Sequence, residues 1–440
     1  MGTSAKRIKI GLISLGCDKN RVDAEKMLAL LEDAGYTITS DQEEADGIIV
    51  NTCAFIKPAK VEAIDNIFAA AKLKEKNLKK LIVTGCFSTR YGDEVKDEIP
   101  EVDRFVKIEE RNRIVQIIDE LFGVNREEKQ IDCPYQANRI ITTPMHYAYL
   151  KIADGCNNRC SYCAIPNIRG KYVSEKIEDL VKEAEILYES GVKELILVAQ
   201  DTTYYGKDIY GKYALIDLLK ELVKINFWKI RILYAYPERI TKELIEYIDS
   251  EPKIAKYLDI PLQHINDDLL KKMRRPATKE KIKNLLSEIG SAKNYIATRS
   301  SFIVGFPTES EKEHEELVEF VKDGVDYGGF FVFSPEEGTP AYEYKPRATK
   351  KLATKWQIEC EKAQVVSTES KQKRLIGKTV EVIYEGIDYK KGMFYGRTEY
   401  NAPEIDTVVY FKSAFPVEIG NVYMVKINGG SFNLVGETIQ

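Results

Sequence analysis

The chain has 440 residues, of which 44% are hydrophobic and 30% are charged, and its formal net charge is −4. This length exceeds one ordinary hydrophobic core, so two or three domains are expected. The weak negative charge excludes a protein whose overall field recruits nucleic acid. No apolar run reaches the roughly 18 to 20 residues of a membrane-spanning helix, and no membrane association is expected.

The segment KRIKIGLISLGC near the start of the chain superficially resembles a secretory or lipoprotein signal. Its apolar stretch is too short, and Ser14 stands where a lipoprotein signal prefers leucine. We therefore expect a cytoplasmic protein with reduced thiols. The eight cysteines then favour metal ligation or catalysis over disulfides.

Three short apolar strands are predicted in the first 135 residues, and each is followed by a cysteine. The strands IKIGLISLGC, ADGIIVNTC and KKLIVTGC end at Cys17, Cys53 and Cys86. Helical patterns at 22–34 and 59–73 separate them, which predicts a doubly wound parallel α/β sheet. The carboxyl ends of such strands share one edge, so the cysteines should converge there as ligands. The alternative is three buried structural cysteines.

A second cysteine motif, ADGCNNRCSYCAIP at 153–166, carries Cys156, Cys160 and Cys163 in C-x3-C-x2-C spacing. A closed zinc site needs four Cys or His ligands at short spacings. No fourth cysteine or histidine stands near the motif, and the three histidines of the chain are not paired at ligand spacing. Zinc is therefore disfavoured, and the missing fourth ligand needs another explanation.

Six strand–helix units are predicted between 148 and 335. The strands are YAYLKIAD, KELILVAQD, KIRILYAYP, KYLDIPLQH, TRSSFIVGFP and GGFFVFSP. The intervening helices are predicted at 176–190, 214–225, 241–249, 279–290 and 311–323. Six units are too few for a closed eight-stranded barrel, so we expect an open, partial (β/α)6 barrel. Its chemistry should lie at the carboxyl ends of the strands, where the second cysteine motif begins.

A long helix is predicted at about 349–375, and the pattern changes after Gly377 to five short strands. Short alternating strands over some 65 residues predict a small antiparallel β-barrel, of the oligonucleotide-binding type. We therefore expect three domains, at 1–135, 136–370 and 371–440.

The second motif, with Tyr162 before its last cysteine at the start of a β/α barrel, resembles the radical S-adenosylmethionine (SAM) enzymes. The three-cysteine α/β domain before it and the small, TRAM-like barrel after it narrow the resemblance to the methylthiotransferases. This resemblance implies that Cys156, Cys160 and Cys163 hold a 4Fe–4S cluster, which ordinarily takes four cysteines. The open iron would bind SAM and cleave it to a 5′-deoxyadenosyl radical that abstracts hydrogen.

By the same resemblance, Cys17, Cys53 and Cys86 hold an auxiliary 4Fe–4S cluster that supplies the inserted sulfur. Two three-cysteine sets argue against a non-catalytic electron-transfer protein, because electron carriers saturate their irons with cysteines. An RNA-binding protein with a structural cluster is a further alternative. An electron donor such as flavodoxin or ferredoxin is implied, and the chain is expected to act as a monomer.

The resemblance also implies SAM contacts at strand ends two, four and five of the partial barrel, namely Gln200, Gln263, Arg299, Ile303 and Gly305. Alternatives remain open for several of these residues. Gln200 would otherwise cap a turn, and Arg299 would form a salt bridge at the barrel rim instead of binding a carboxylate. Gly305 would permit close backbone approach to the adenine side of SAM.

Three further residues are interpreted as structural or incidental. His264 is expected to be a hydrogen-bonded structural histidine, with a proton relay as the alternative. Cys133 and Cys360 are expected to be incidental thiols. The sequence contains no phosphate-binding loop, no dinucleotide-binding glycine motif and no Ser/His/Asp constellation.

Several stretches resemble the RimO-type methylthiotransferases, including SLGCDKNRVDAE, NTCAFI, AQDTT, LDIPLQH, EEGTPA and GRTEYNAPEID. This implies methylthiolation at Cβ of an aspartate in the twelfth small-subunit ribosomal protein, free or in the assembled subunit. The alternative is a tRNA adenosine methylthiotransferase. The chain departs from the RimO pattern at Asp18, Thr308, Val173 and Glu175, and in GCFSTRY, where a glutamine is more usual before Arg90.

Charge supports the protein substrate independently. Between Thr379 and Gln440 there are eight acidic and five basic residues, whereas a barrel that follows phosphates should be basic. No dedicated nucleic-acid binding is therefore expected. Glu399, Glu404 and Asp406 should instead face a basic protein. Under the tRNA alternative, nearby tyrosines such as Tyr400 would stack on bases.

Overall fold

A computed structural model describes residues 8–125 and 138–439. Cys133 lies outside the described residues. The first part contains β1 (Lys9–Ser14), α1 (Asp18–Asp33), β2 (Thr37–Thr39), β3 (Gly47–Thr52), α2 (Lys57–Ala71), β4 (Lys80–Gly85), α3 (Cys86–Val95), β5 (Arg104–Val106) and α4 (Ile114–Phe122). The strands form one parallel sheet in the order β2-β1-β3-β4-β5.

Both faces of this sheet are covered by apolar helix surfaces. Residues of α1 and α4 pack in one buried cluster, and residues of α2 and α3 pack in another on the opposite face. β3 is buried along its whole length, which explains its continuous apolar run. The predicted doubly wound sheet is confirmed. Helix α1 begins at Asp18, earlier than the predicted residue 22, with Cys17 at its N-cap.

The central part contains β6 (Tyr147–Lys151), β7 (Ala153–Asp154), α5 (Ile165–Arg169), β8 (Val173–Ser174), α6 (Ile177–Glu189), β9 (Glu194–Val198), α7 (Leu215–Leu222), β10 (Lys229–Ile232), α8 (Lys242–Ser250), β11 (Ile254–Asp259), α9 (Asp267–Lys272), α10 (Lys279–Gly290), β12 (Ala297–Val304), α11 (Glu311–Val321), β13 (Tyr327–Val332) and α12 (Lys350–Gln372). Six parallel strands form an open sheet in the order β13-β12-β11-β10-β9-β6. The predicted partial barrel is confirmed. A short antiparallel pair, β7–β8, flanks the second cysteine motif.

The C-terminal part contains β14 (Thr379–Asp388), β15 (Met393–Arg397), β16 (Val409–Lys412), β17 (Val422–Gly430) and β18 (Leu434–Thr438). These strands close into the predicted small barrel, in the order β14-β15-β16-β18-β17, but β16 and β18 pair parallel, so the barrel is not antiparallel throughout as predicted. β15 ends at Arg397. The following residues, 398–407, leave the small barrel and insert against the partial barrel; we call them the plug segment. Arg231 of β10 holds this segment by donating to the carbonyls of Thr398 and Glu399.

Buried charges join the two barrels. Glu194 at the start of β9 accepts a hydrogen bond from Arg231 at 2.7 Å and one from Arg397 at 2.7 Å. The side chains of all three are at most 1% exposed. Arg397 also donates to Glu385 at 2.8 Å, and His146 lies 3.0 Å from the same carboxylate. Burial alone would raise the pKa of Glu194, but the two guanidinium groups lower it below its ordinary value.

Two of the three acidic residues predicted to face a protein partner, Glu399 and Asp406, point into the molecule instead. The Asp406 side chain is completely buried and accepts from the hydroxyl of Tyr257 at 2.6 Å. Glu399 pairs with Lys229 at 3.2 Å, and Glu404 accepts from the hydroxyl of Tyr147 at 3.0 Å. The prediction that these carboxylates form a docking surface is therefore wrong for Glu399 and Asp406, whereas the Glu404 side chain stays 52% exposed. All three carboxylates neutralise donors of the central barrel, a long-range pairing that local sequence does not reveal.

The outer surface of the small barrel has almost no acidic excess once the inward-facing charges are removed. Its solvent-facing bases are Lys390, Lys391, Lys412 and Lys426, and its solvent-facing acids are Glu381, Asp388, Glu404, Glu418 and Glu437, an excess of one. The negative charge of this region is thus used in holding the barrels together. It does not by itself exclude nucleic acid as a partner.

None of the helices in the described ranges is long and apolar enough to cross a membrane.

Replacing Glu194 with alanine should lower the free energy of unfolding by about 3–5 kcal/mol, because Arg231 and Arg397 would be left buried without their shared carboxylate. Urea denaturation measures the change. The matched control is Glu319→Ala, which removes an exposed ion pair with Lys322 and should have little effect.

Comparing the parent protein with Glu194→Ala at different pH values also tests the charge on Glu194. Because the folded-state pKa lies below the ordinary 4.5, its stabilising effect is present above that pH and is lost as the pH falls further. The difference between parent and Glu194→Ala should therefore shrink on acidification. Equal unfolding curves for both variants at neutral pH would contradict the role given to this carboxylate.

Candidate active site

The three N-terminal cysteines lie at the carboxyl ends of three adjacent strands. Cys17 follows β1 by three residues, Cys53 follows β3 directly, and Cys86 is the first residue of α3 after β4. The backbone of Gly16 packs against Cys53, so that a Cβ at Gly16 would lie 3.4 Å from the Cys53 sulfur. Parallel strands in neighbouring positions thus bring three thiols together from sequence positions more than thirty residues apart.

Burial dominates the chemistry of these thiols. It raises the pKa of Cys53, and it raises the pKa of Cys86 to about 12, with Cys17 adding to both shifts. The guanidinium of Arg169 opposes the shift at each of these two sites. A buried thiol of this kind is a good ligand only when a metal replaces its proton, because the bound cation then compensates the thiolate charge.

The second triplet lies in the loop between β7 and α5. The Cys156 amide donates to the carbonyl of Gly170 at 3.1 Å, and the Cys163 amide donates to that of Cys160 at 3.2 Å. The hydroxyl of Tyr236 lies 2.8 Å from the Cys160 sulfur. Burial raises the pKa of Cys156 to about 11 and that of Cys163 further. The loop therefore presents three partly enclosed thiols at the carboxyl end of the barrel.

Both triplets suit a cluster better than a single ion. Within the described ranges, no three Cys, His, Asp or Glu side chains are arranged around one metal position. A 4Fe–4S cluster places a different iron at each cysteine, so its ligands need not converge on one point. The donor set, three thiols at each site, therefore fits the group that the family resemblance implies.

Two of the predicted SAM residues remain available for a ligand. Gln200 lies two residues beyond β9, and its side-chain carbonyl is buried without a hydrogen-bond partner. The backbone of Gln263 has a positive φ of 71° and bonds to Ser301 and Ile303 of β12. An orphaned acceptor and a strained backbone at the carboxyl ends of barrel strands are features of ligand sites.

The other predicted SAM residues already have protein contacts. Arg299 donates to Asp259 at 2.9 Å and lies 3.6 Å from Asp406, as in the alternative of a salt bridge at the rim. Gly305 is required by helix packing, because a Cβ there would lie 2.4 Å from that of Ala353 in α12. Ile303 packs in the same apolar cluster as Tyr162 of the cysteine loop.

The residues interpreted as structural behave as expected. His264 is fully buried, and its Nδ1 accepts from the Asn266 amide at 3.0 Å. Cys360 is fully buried in the main apolar core. Two buried arginines near the thiols, Arg169 and Arg275, were not predicted from the sequence as part of the site. Arg169 stands only six residues after Cys163, a position that offered a signal; Arg275 is more than a hundred residues from Cys160, and nothing in the sequence linked them.

Comparison with known families gives three matches along the chain. Residues 9–107 match the uncharacterized protein family UPF0004, residues 150–321 match the Radical SAM superfamily, and residues 376–439 match the TRAM domain. The two cysteine triplets fall in the first two matched regions. The third region corresponds to the closed five-stranded barrel.

Full-length relatives decide the family. The ribosomal protein uS12 methylthiotransferase RimO of Thermoanaerobacter sp. (strain X514) is 46% identical, covering 97% of this chain and 99% of the relative. The RimO protein of Acetivibrio thermocellus is 45% identical, with 98% of each chain covered. The chain belongs to the RimO family of radical SAM methylthiotransferases. The cofactors of this family are SAM and 4Fe–4S clusters, which agree with the thiol sites described above.

A solved structure supports the fold of this RimO-family chain. The radical SAM methyltransferase TsrM from Kitasatospora setae, with cobalamin and a [4Fe-4S] cluster bound, superposes with a TM-score of 0.57. The match covers 76% of this chain and 77% of TsrM at 14% identity. At this identity the likeness concerns the fold alone.

Replacing Gly85 with alanine should disrupt the N-terminal thiol site. Gly85 has φ 90°, and a Cβ there would lie 2.4 Å from the Thr52 carbonyl, so the backbone that carries Cys53 and Cys86 would have to move. We expect loss of about half of the bound iron after anaerobic reconstitution, measured by iron and sulfide analysis. The control is Gly35→Ala, which has the same positive φ, 89°, but no atom within 4 Å of the new Cβ. Equal iron contents would contradict this prediction.

Proposed function

We propose that this RimO-family enzyme adds a methylthio group to Cβ of an aspartate in uS12, the twelfth protein of the small ribosomal subunit. The observation that carries the proposal is the presence of two separate three-thiol sites in one chain, which is 46% identical over its length to a uS12 methylthiotransferase. One site would serve SAM cleavage, and the other would serve sulfur insertion.

The residues of the barrel site would each have a separate part in SAM cleavage. Cys156, Cys160 and Cys163 would hold a 4Fe–4S cluster and leave one iron open for SAM. When bound, this cluster and SAM supply a one-electron cleavage that allows hydrogen to be removed from an unactivated carbon. The unpaired carbonyl of Gln200 would accept from a polar group of SAM, and Gln263 would present backbone at the same edge.

Arg299, Ile303 and Gly305 would contribute to SAM binding less directly than Gln200 and Gln263. Arg299 is paired with Asp259, so we propose that it orients that carboxylate toward SAM and does not itself bind the SAM carboxylate. Ile303 and Gly305 would form the apolar side of the site with Tyr162. In this arrangement water is excluded by close packing, which protects a reactive radical from side reactions.

The N-terminal triplet, Cys17, Cys53 and Cys86, would hold the auxiliary 4Fe–4S cluster whose open iron carries the sulfur. Ion pairs keep this site in place relative to the barrel. Lys60 of α2 and Arg90 of α3 both bond to Glu336, at 2.9 and 2.8 Å, in the loop after β13. Fixed positions of the two sites favour direct transfer, because both must act on one carbon.

The domain organisation, oligomeric state and partners of this enzyme can also be proposed. We propose domains at 1–135, 136–370 and 371–440, a monomeric cytoplasmic enzyme, and reduction by a flavodoxin or ferredoxin. The substrate would be uS12, either free or within the small subunit. The matched family regions lie within these proposed domains, which supports the boundaries.

One observation favours a tRNA substrate as a second candidate. Tyr389 at the tip of the β14–β15 hairpin is 87% exposed and stands beside Lys390 and Lys391. An exposed aromatic ring beside basic residues is a surface on which a base and a phosphate can bind together. Because the outer surface of the small barrel has only one more acidic than basic residue, charge does not decide between RNA and protein.

Alanine substitution of each triplet should separate the two activities. Replacing Cys156, Cys160 and Cys163 together should leave about four irons and abolish formation of 5′-deoxyadenosine. Replacing Cys17, Cys53 and Cys86 should also leave about four irons but should abolish only methylthio transfer. Eight irons in either triple variant, or methylthiolated product from the second one, would contradict the assignment of the sites.

Incubation with SAM and a reductant identifies the substrate. Mass spectrometry should show one added methylthio group on a single aspartate of uS12, and none on tRNA adenosine. Reversing charge at Glu399, Glu404 and Asp406 is unsuitable as a test, since these residues hold the two barrels together. Replacing Tyr389 with alanine is the better control, and it should leave uS12 modification unchanged. Methylthioadenosine in tRNA with unmodified uS12 would overturn the substrate proposal.

A further inference from the structure

Arg169 contacts the N-terminal thiol site although it belongs to the cysteine loop of the barrel. One guanidinium nitrogen donates to Asp23 at 3.1 Å and to Asp154 at 2.9 Å. The other donates to the side-chain carbonyl of Asn20, which also accepts from the Cys86 thiol at 3.8 Å. The Arg169 side chain is 1% exposed.

The charge of Arg169 acts on the whole N-terminal triplet. It interacts electrostatically with Cys17, Cys53 and Cys86. Helix α5, which ends at Arg169, packs through Ile168 into the apolar core shared by α2 and α3. The loop that carries the barrel thiols thus extends directly into the other site and delivers a fixed positive charge there.

Arg275 has the corresponding position at the barrel triplet. Its guanidinium lies 3.7 Å from the ring centre of Tyr236, and Nη1 lies 4.0 Å from the Cys160 sulfur. It interacts electrostatically with Cys160 and Cys163. Its residue is 5% exposed, Nη2 donates to the Pro261 carbonyl at 2.8 Å, and Nε has no hydrogen-bond partner.

The environment of Arg275 requires a further anion. Among the described residues, no carboxylate forms an ion pair with its guanidinium, which is always charged; Glu238 acts on it only electrostatically, from a greater distance. Burying a cation without a counter-charge is strongly unfavourable. The Cys160 sulfur, 4.0 Å from Nη1, can carry that negative charge once a bound metal replaces its proton.

We propose that each cysteine triplet has its own buried arginine, Arg169 for the N-terminal site and Arg275 for the barrel site, which positions a thiolate and raises the reduction potential of the cluster bound there. This inference rests on the proposed two-cluster function. A cluster gains one negative charge on reduction, and a nearby fixed positive charge stabilises that reduced state. Net charge and hydrogen bonds to the sulfur ligands are known determinants of cluster potential.

The two sites are tested separately in backgrounds that keep one cluster each. In the variant lacking Cys156, Cys160 and Cys163, Arg169→Gln should shift the midpoint potential of the remaining cluster to more negative values. Arg275→Gln should leave that potential unchanged. In the variant lacking Cys17, Cys53 and Cys86, the two substitutions should have the opposite effects. Electron paramagnetic resonance during redox titration measures each potential without substrate turnover.

Conservative and remote substitutions complete the design. Arg169→Lys and Arg275→Lys keep the charge and should retain most of the parent potential, which a purely structural role does not predict. Arg104→Gln, on the exposed edge strand β5, should have no effect in either background. If a glutamine variant does not bind iron, the lysine variant and its potential decide the result.

Two results would overturn the inference. One is an equal shift of both clusters by either arginine substitution, and the other is a lysine variant with the same potential as its glutamine counterpart. Failure to modify uS12 would leave these potentials measurable, whereas a chain that binds only one cluster would refute the proposed function first. The two failures are therefore distinguishable.

Discussion

The ion pairs of Arg169 with Asp23 and Asp154 hold the N-terminal sheet and the partial barrel together at the point where the two thiol sites meet. Burial alone would raise the pKa of Asp154, but Lys151, Arg169 and Arg111 lower it well below its ordinary value. The carboxylates therefore remain charged, and the contact persists as a buried network. Everything proposed about sulfur transfer depends on this fixed arrangement, because two sites must reach one substrate carbon.

A second buried network closes the opposite side of the partial barrel. The six parallel strands form an open sheet, and the plug segment of the C-terminal barrel covers part of it. Arg231 and Tyr257 of the partial barrel are donors that need polar partners. Carbonyls and a carboxylate of the plug segment supply those partners. Glu399 and Asp406, which the sequence suggests as part of a partner surface, instead form these internal contacts. The small barrel is thus a structural part of the central fold as well as a candidate docking unit.

The candidate site was predictable where its chemistry is local or follows from strand topology. C-x3-C-x2-C spacing is visible in eight consecutive residues, and the strand-end positions of Cys17, Cys53 and Cys86 follow from the alternation of strands and helices. The SAM residues were less predictable. Arg299 is the third residue of β12, near its amino end, and its pairing with Asp259 depends on the register between β11 and β12.

The sequence by itself determined the order of the three folding units and the two thiol sets, because periodicity and ligand spacing are properties of short segments. Only the tertiary structure decided which charges are buried together. Arg275 meets Cys160 across 115 residues of chain, and Arg397 meets Glu194 across 203. No local pattern encodes such pairs, since each results from the packing of separate elements. The electrostatic surroundings of the thiols therefore emerge only when the complete chain is folded.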